Sequence, residues 1–442
     1  MSTVAFHTLG CKLNFAETGM IARQFEQRQF TIVPFGSQAD VTVLNTCTVT
    51  DEADRKCRQM IRKAVRSSKD SFVIVTGCYA QLRPDEVADI PGVDAVLGTA
   101  EKHRLFDLLE SFSRTEETQV RVSCIDDVTT FGPAYSAGER TRAFLKIQDG
   151  CDYTCSFCTI PMARGRSRSQ TIADSLAQAR EIASQGFVEI VLSGVNIGLY
   201  GNDTGTSLLD LLQELDGVDG VERYRISSIE PNLLTDRIID FVAGSRRFVP
   251  HFHLPLQSGD DFVLGKMRRR YRRQVYLERV ERIKQIMPDA GIGVDVIVGF
   301  PDETDERFRN TTEFIADLPV SYLHVFTYSE RTGTTAVEEV DSGSASPIPR
   351  HERSRRNRVL RVLSEQKKHA FYKQHIGTRG DVLWESKVSD GYAFGFTDNY
   401  IRVRAPVEDV TVGVVENVGL AGIAEDGSVT VESTDPAFVS LT

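Results

Sequence analysis

Three cysteines lie close together near the middle of the chain. Cys151, Cys155 and Cys158 follow one another at a CxxxCxxC spacing. Thiolates are the ligands that iron–sulfur clusters need, and one short loop can give three of them to a single cluster. A structural zinc ion would need a fourth ligand nearby, and neither flank offers another Cys or His. The spacing predicts an iron–sulfur cluster with one iron left open for chemistry; the alternative is three incidental thiols.

Three further cysteines follow short apolar runs. Cys11, Cys47 and Cys78 each lie just past a segment that is typical of a β-strand, in a region that alternates strands with helices. In a parallel sheet the carboxyl ends of the strands line one edge, where ligands bind. The three thiols can therefore meet despite their wide separation in sequence, which predicts a second three-thiolate site. The alternative is that they are buried strand-end cysteines without a ligand.

The remaining cysteines and a histidine pair give weaker signals. Cys57 lies in a basic helical stretch and Cys124 in a strand-like one, so both are interpreted as structural or incidental. His251 and His253 alternate on a predicted strand and therefore face the same side. No third ligand is evident from the sequence, so a role inside a barrel or facing a substrate is favoured over a metal site.

The composition describes a soluble globular protein. Its 442 residues are 41% hydrophobic and 26% charged, and no apolar run reaches the roughly 18–20 residues of a membrane helix. The N-terminus has no secretory pattern, so we expect a cytoplasmic protein whose eight cysteines stay reduced. The net charge of −10 argues against general nucleic-acid binding. Basic residues are nevertheless concentrated in residues 264–273 and 350–373, and such local stripes decide whether phosphate is attracted.

The order of predicted elements divides the chain into four parts. Residues 1–128 alternate short strands with helices, which predicts an open parallel α/β sheet. After a linker rich in Gly, Pro and Ser, residues 139–330 contain six strands with helices between them, which predicts a partial (β/α)6 barrel. Residues 350–374 predict a basic connecting helix. Residues 375–442 predict a small all-β barrel of short strands, one of them over 410–415.

These motifs resemble, over nearly the whole chain, the methylthiotransferase branch of the radical S-adenosylmethionine (SAM) enzymes. The similarity covers the segments around Cys11, Cys47 and Cys78, the CxxxCxxC loop with the IPMARGR segment after it, and the LPLQSG and VGFPDET segments. The C-terminal barrel, with its GFTDNYI segment, resembles the RNA-binding TRAM domain. The resemblance implies SAM and two 4Fe-4S clusters, each held by one of the two cysteine sets.

The resemblance also implies a reaction. The branch transfers a methylthio group, with one SAM as methyl donor and another as the source of a radical. Its members act on isopentenyl-adenosine in tRNA, on an aspartate of a ribosomal protein, or, in the MtaB type, on carbon 2 of threonylcarbamoyl-adenosine at position 37 next to the anticodon. Lys12 and the PMARGRSR segment match the MtaB type, with Met162 a mild departure from the aromatic residue expected there. The other two targets stay as alternatives, as does a non-catalytic iron–sulfur or zinc protein that binds RNA.

Partners and contact residues complete the expectation. The implied partners are tRNA, an external electron donor of the flavodoxin or ferredoxin type and a sulfur source, without a membrane. Barrel geometry and the resemblance together assign SAM contacts to Tyr153, Phe157, Ser193, Gly194, Glu230 and Gln257. Arginine runs beside the cluster loop and after the fourth barrel strand are predicted to contact RNA. These are Arg164, Arg166, Arg168, Arg268, Arg269, Arg270 and Arg272.

Overall fold

The computed structural model describes four stretches of the chain, residues 2–68, 70–109, 111–136 and 141–432. The predicted start of the barrel region at 139, part of the linker before it, and the end of the predicted C-terminal region, 433–442, lie outside the described residues. Among the described residues, no helix is both long and apolar enough to cross a membrane.

The N-terminal region is a six-stranded, fully parallel sheet in the order β2-β1-β3-β4-β5-β6. Its strands are β1 (Thr3–Thr8), β2 (Thr31–Val33), β3 (Val41–Thr46), β4 (Phe72–Gly77), β5 (Ala95–Leu97) and β6 (Gln119–Arg121). Its helices are α1 (Lys12–Glu26), α2 (Asp51–Ser67), α3 (Cys78–Leu82), α4 (Pro84–Ala88) and α5 (Leu105–Leu108). The central strands β3 and β4 are buried along their whole length, as a parallel sheet covered on both faces requires.

The second region is a partial barrel. Its elements are β7 (Ala134–Tyr135), β8 (Ala143–Lys146), β9 (Gln148–Asp149), α6 (Ile160–Arg164), β10 (Arg168–Ser169), α7 (Ile172–Ser184), β11 (Glu189–Ser193), α8 (Leu208–Leu215), β12 (Arg223–Ile226), α9 (Asp236–Gly244), β13 (His251–Gln257), α10 (Asp261–Lys266), α11 (Arg273–Ile286), β14 (Gly291–Val298), α12 (Asp305–Asp317), β15 (Tyr322–Thr327) and α13 (Thr335–Asp341). One sheet has the order β12-β11-β8-β7 and another the order β13-β14-β15. A parallel bridge between Ser228 and His253 joins them, so six parallel strands run in sequence order from β8 to β15.

A long helix and a closed β-barrel complete the chain. They comprise α14 (Arg350–Gln374), β16 (Arg379–Ser389), β17 (Tyr392–Thr397), β18 (Arg402–Pro406), β19 (Val415–Ile423) and β20 (Val429–Val431). The predicted fold class is thus confirmed. The predicted strand over 410–415 is wrong, because the chain turns at Gly413 (φ +82°) and the strand starts only at Val415. Gly419, within β19, pairs with Arg379 of β16.

The small barrel docks onto the amino-terminal ends of the partial-barrel strands. Arg225 of β12 donates to the backbone carbonyls of Asp398 and Thr397, and Asn399 donates to the carbonyl of Asp289, just before β14. This places Tyr400 against the interior of the partial barrel, where its ring stacks on that of His251 at 4.5 Å. Tyr400 has φ +74°, a left-handed conformation that a bulky side chain rarely adopts. The loop between β17 and β18 therefore forms the floor of the partial barrel.

A buried ionic cluster joins the N-terminal sheet to the partial barrel. Glu17 of α1 lies within 3.1 Å of the charged groups of Lys102, Lys146 and Arg164, and all four side chains are almost completely buried. Asp149 pairs with Lys146 at 2.6 Å and with Arg164 at 2.9 Å. Burial alone would raise the pKa of Glu17, but the charges of its three partners hold that pKa well below its usual range. Glu17 therefore stays ionised and ties the two regions together.

Removing this carboxylate should strongly destabilise the protein. Glu17→Gln would leave three buried cations facing Asp149 alone, and breaking a buried pair in this way costs about 3–5 kcal/mol. The free energy of unfolding, measured by urea denaturation, should fall by about that amount. Glu26→Gln on the exposed side of the same helix is the matched control, with an expected change within about 0.5 kcal/mol. Equal effects of both substitutions would contradict the role given to Glu17.

Candidate active site

The first cysteine set lies at adjacent strand ends of the N-terminal sheet. Cys11 follows β1 and caps α1, Cys47 follows β3, and Cys78 is the first residue after β4. Strands β1, β3 and β4 are neighbours in the sheet. A Cβ atom on Gly10, which has φ +100°, would lie 2.8 Å from the Cys47 sulfur, so only glycine fits beside this thiol.

The electrostatics of this set suit a negatively charged group. Burial and the neighbouring thiols of Cys78 and Cys11 raise the pKa of Cys47 to about 12. Burial also raises the pKa of Cys78, whereas the nearby charges of Arg164 and Lys102 oppose that rise. The buried ionic cluster has the cations Lys102, Lys146 and Arg164 against two carboxylates, with Arg168 a further 3.8 Å from Asp149, and so holds a surplus of positive charge beside the set. Three thiolates around an iron–sulfur cluster would supply the missing negative charge, so the donor set fits such a cluster.

The second cysteine set lies on the loop between β9 and α6. The backbone N–H groups of Tyr153 and Ile160 point at the sulfurs of Cys151 and Cys158, at 3.4 and 3.5 Å. The guanidinium of Arg269 donates to the sulfur of Cys155 at 3.2 Å. Hydrogen bonds to sulfur tune iron–sulfur clusters, so this donor set also fits a cluster.

Burial and mutual proximity keep the free thiols of this loop protonated. Burial is the main cause that raises the pKa of Cys151 to about 11 and that of Cys158 to about 12, with repulsion between neighbouring thiolates adding to it. Gly150 makes the loop possible, since a Cβ there would lie 1.9 Å from the carbonyl oxygen of Arg166. A bound metal would remove these protons, because metal ions bind thiolates rather than thiols.

A cavity of about 600 Å³ connects the two regions. Its upper end, at the carboxyl ends of the barrel strands, is lined by Cys11 of the first set and by Ser193 and Gly194, which end barrel strand β11. Tyr400 lines its lower end, at the amino-terminal ends of the strands, and closes it there. A molecule in this cavity can therefore touch Cys11 and the end of β11 at the same time.

Comparisons with known proteins agree with this geometry. Residues 3–98 match the model described as "Uncharacterized protein family UPF0004", and residues 145–315 match the Radical SAM superfamily. The threonylcarbamoyladenosine tRNA methylthiotransferase MtaB of Bacillus subtilis is 40% identical, over 95% of this chain and 93% of its own. The protein of that name from Thermotoga maritima is 35% identical, over 97% and 96%. The chain belongs to the MtaB-type methylthiotransferase family.

Two further similarities place the family in a wider setting. The tRNA-2-methylthio-N(6)-dimethylallyladenosine synthase of Syntrophus aciditrophicus is 31% identical over 86% of this chain and 83% of its own. Among solved structures, the radical SAM methyltransferase TsrM of Kitasatospora setae has a TM-score of 0.58 and 14% identity, and the match covers 99% of this chain and 86% of that one. At that identity the likeness shows a common fold.

The predicted SAM residues lie around the second cysteine set and the end of β11. Gly194 is held by Gln148, whose side-chain oxygen accepts hydrogen bonds from the two backbone N–H groups that follow it. A Cβ on Gly194 would lie 2.8 Å from that oxygen. Gln257 has φ +65° at a register shift in β13, and strained backbone of this kind is concentrated at ligand sites. Both positions stay predicted SAM contacts.

The other predicted SAM residues already have protein partners. The buried Tyr153 hydroxyl accepts a hydrogen bond from Asn232 at 2.8 Å, and Phe157 packs edge-on against Phe300. Glu230 forms an ion pair with Arg269, so its carboxylate is partly occupied. These contacts favour a role in shaping the loop for Tyr153 and Phe157, and leave Glu230 as a group shared between Arg269 and a ligand.

Three of the seven arginines predicted to contact RNA are buried. Arg164 belongs to the interdomain ionic cluster, Arg168 lies beside Asp149, and Arg269 contacts Cys155 and Glu230. With at most 9% of their surface exposed, none of the three can reach an RNA backbone, so this prediction is wrong for them. The other four arginines are exposed, and RNA contact stays a prediction for them. They are Arg166, Arg268, Arg270 and Arg272.

Sequence reasoning missed the polar wall of the cavity. Nε2 of His253 lies 2.8 Å from Oδ1 of Asp295, and the donor atoms of His253, Asp295 and His324 all lie within 4.8 Å of one another. Asp295 and His324 therefore accompany His253 as further polar groups. His251 instead forms a hydrogen bond with the Tyr322 hydroxyl. The available signal was weak: Asp295 is the one charged residue of the otherwise apolar β14, and His324 lies within β15.

Two more residues acquire a place in the site. Lys12 lines the cavity, where solvent reaches it although protein surrounds it; this enclosure and the charges of Arg142 and Arg225 lower its pKa to about 8. Cys57 is buried, and its thiol donates to the backbone carbonyl of Cys47 at 3.2 Å. Cys57 therefore has a structural role, which is to support the backbone at Cys47. Cys124, by contrast, is exposed.

The contact between Arg269 and Cys155 can be tested through thiol reactivity. Burial raises the pKa of Cys155 and Arg269 opposes that rise, so Arg269→Gln should raise the pKa further and reduce the thiolate fraction. In cluster-free protein at pH 8, alkylation of Cys155 by iodoacetamide should slow about three- to tenfold. Peptide mass spectrometry measures the rate. Arg270→Gln, which removes an exposed neighbour, should change it little, and equal rates for both variants would refute the contact.

Proposed function

We propose that this chain methylthiolates carbon 2 of threonylcarbamoyl-adenosine at position 37 of tRNA, next to the anticodon. The cavity carries this proposal, because it joins Cys11 of one cysteine set to the Ser193-Gly194 turn on the radical SAM side. A base placed there would meet a sulfur donor and a SAM molecule together. The relatives of 35–40% identity support the same target by name.

The reaction explains why side chains alone are insufficient. Carbon 2 of adenine carries an unactivated hydrogen that no side-chain base removes near neutral pH. When bound, the two clusters and SAM supply radical cleavage of that bond, sulfur and a methyl group. We assign one cluster to Cys11, Cys47 and Cys78. We assign the other to Cys151, Cys155 and Cys158.

The protein's own residues position and enclose the reactants. Arg269 holds Cys155 by a hydrogen bond and fixes Glu230 beside it. Gln148 fixes the turn at Gly194, where the two N–H groups it engages order the backbone for a SAM carboxylate. Tyr400 closes the cavity from below, which limits the access of water to a site where a radical must not be quenched.

The proposed reaction also requires further partners. Radical cleavage of SAM consumes an electron, so an external donor of the flavodoxin or ferredoxin type is required, and a sulfur source must replace each sulfur that is transferred. Six thiol ligands and a tRNA substrate favour the cytoplasm. We divide the chain into a methylthiotransferase domain (1–128), a radical SAM barrel (139–330), a connecting helix (350–374) and a TRAM-like barrel (375–442).

The function can be tested by nucleoside mass spectrometry of cellular tRNA. Cells without the gene should lack 2-methylthio-threonylcarbamoyl-adenosine and accumulate its precursor, and the wild-type gene should restore it. Cys151→Ala and Cys47→Ala should each fail to restore it, because each removes a ligand of one cluster. The purified variants should keep about half of the roughly eight irons per chain.

Cys124→Ser is the matched control, since this exposed thiol belongs to neither set. It should keep both the iron and the modification. Zinc in place of iron would support a non-catalytic RNA-binding protein instead. A methylthio group on isopentenyl-adenosine, or none in tRNA at all, would point to the other targets.

The exposed arginines predict where the RNA backbone runs. Replacing Arg268, Arg270 and Arg272 by Gln should flatten the dependence of log affinity on log salt by up to about three units, because each phosphate contact contributes at most about 0.9. Arg269 is left intact because it contacts Cys155. A charge-matched control replaces three exposed basic residues of α2, Arg62, Lys63 and Arg66. An unchanged slope in the first variant would place the RNA elsewhere.

A further inference from the structure

The lower half of the cavity is lined by polar side chains from three neighbouring strands. His253 of β13, Asp295 of β14 and His324 of β15 all line it. The register sets Asp295 directly beside His324. The Tyr322 ring packs directly on Gly293, two residues before Asp295, where a Cβ would lie 2.4 Å from it. Three strand residues thus form a polar wall inside the barrel.

The charges on this wall are unevenly compensated. Arg142 and Arg225 lie 3.9 and 3.1 Å from the Glu189 carboxylate, which they share with Arg223, and Arg142 also pairs with Glu385 at 2.6 Å. Asp295 shares its carboxylate with His253. Within the described ranges, by contrast, no acceptor lies within hydrogen-bonding or ion-pairing distance of the Lys12 ammonium. Among the described residues, Lys12 therefore offers the cavity a cation without an acceptor of its own.

His324 is the second group with unused hydrogen-bonding capacity. Its ring makes edge contacts with His253 at 5.5 Å and with Tyr322 at 5.3 Å. In the part of the chain that the structure describes, neither of its ring nitrogens has a hydrogen-bond partner. His324 is also exposed to the cavity rather than packed behind its wall. An imidazole held in this way can donate to or accept from a ligand hydroxyl.

We propose that Lys12 and His324 form the recognition subsite for the side chain on N6 of the substrate base, with Lys12 pairing with its carboxylate and His324 binding its hydroxyl. The inference rests on the proposed function and deepens it. A threonylcarbamoyl group carries one carboxylate and one hydroxyl, which match the free ammonium and the free imidazole. The His253–Asp295 pair fixes the wall against which His324 stands.

The same subsite predicts rejection of an isopentenyl side chain. That group is apolar, so its binding would leave the Lys12 ammonium desolvated without a partner, which is costly. A site built to bind a polar substrate group can reject an analogue that lacks it by about 10⁴-fold. Lys12 and His324 thus act as specificity-determining residues, distinct from the groups that hold the clusters.

A divalent cation on His253, Asp295 and His324 is the competing use of this wall, because their donor atoms lie close enough to share one. Burial is the main cause that lowers the pKa of His324; the Asp295 carboxylate opposes it, and His253 and the ammonium of Lys12 add to it. A fixed positive charge so close would equally oppose a metal cation. The charge balance therefore favours an anionic ligand.

The test compares three tRNA anticodon stem-loops bound to the cluster-loaded protein. One carries threonylcarbamoyl-adenosine, the second carries the same group with its carboxylate converted to an amide, and the third carries isopentenyl-adenosine. Wild-type protein should bind the first at least about tenfold more tightly than the others. Lys12→Met should remove that preference by weakening the first alone, and Lys12→Arg should retain most of it.

Controls separate recognition from folding. His324→Phe, far in sequence from the cysteines, should weaken binding of both threonylcarbamoyl RNAs, because each keeps the hydroxyl. Lys56→Met, on the exposed side of α2, should change none of the affinities. Iron content shows whether each variant still binds its clusters. A Lys12→Met variant that loses iron is replaced by Lys12→Gln.

The outcomes distinguish this inference from the proposed function. Equal wild-type affinity for the carboxylate and amide RNAs would overturn the subsite, even if the methylthio product forms on both. Discrimination without product on any RNA would support the subsite and overturn the proposed function. A preference that disappears when a chelator removes divalent cations would overturn the Lys12 assignment in favour of a metal. A preference for the isopentenyl RNA would overturn both.

Discussion

The architecture depends on a single buried carboxylate. Glu17 of α1 pairs with Arg164 and Lys146 of the partial barrel and with Lys102 of its own region, and its side chain is fully buried. Ionic groups this deep are stable only as a complete set, because each one left alone bears the full cost of desolvation. The arrangement therefore fixes the orientation of the two regions relative to each other. It also fixes Cys11, which lies at the start of the same helix.

The same cluster links architecture to cofactor charge. Its surplus positive charge lies beside the first cysteine set, where Arg164 and Lys102 oppose the rise in the pKa of Cys78. An anionic cluster would balance this surplus, so assembly of the cofactor and docking of the two regions should stabilise each other. The cavity between the regions exists only when they are docked, which makes the substrate site a property of the interface.

The sequence was sufficient for the fold class and for the meeting of three strand ends, because parallel strands align their carboxyl ends whatever their separation in the chain. It was insufficient to show which of the arginines predicted to contact RNA are buried. Arg164 finds Glu17 at a separation of 147 residues, and local sequence does not distinguish such a buried partner from exposure to solvent. Asp295 and His324 were missed for a related reason, since a single polar residue on an apolar strand acquires meaning only from its neighbours across the sheet.

The docking of Tyr400 has a consequence for how the chain matures. The last strand of the partial barrel ends at Thr327, yet the floor of its cavity is supplied by a loop far downstream, beyond the long helix α14. A ribosome therefore releases all barrel strands before the segment that closes them. During that interval the polar interior is open to water from below, and the nascent enzyme cannot yet enclose a base. Closure from the C-terminal side delays a competent site until nearly the whole chain has been made.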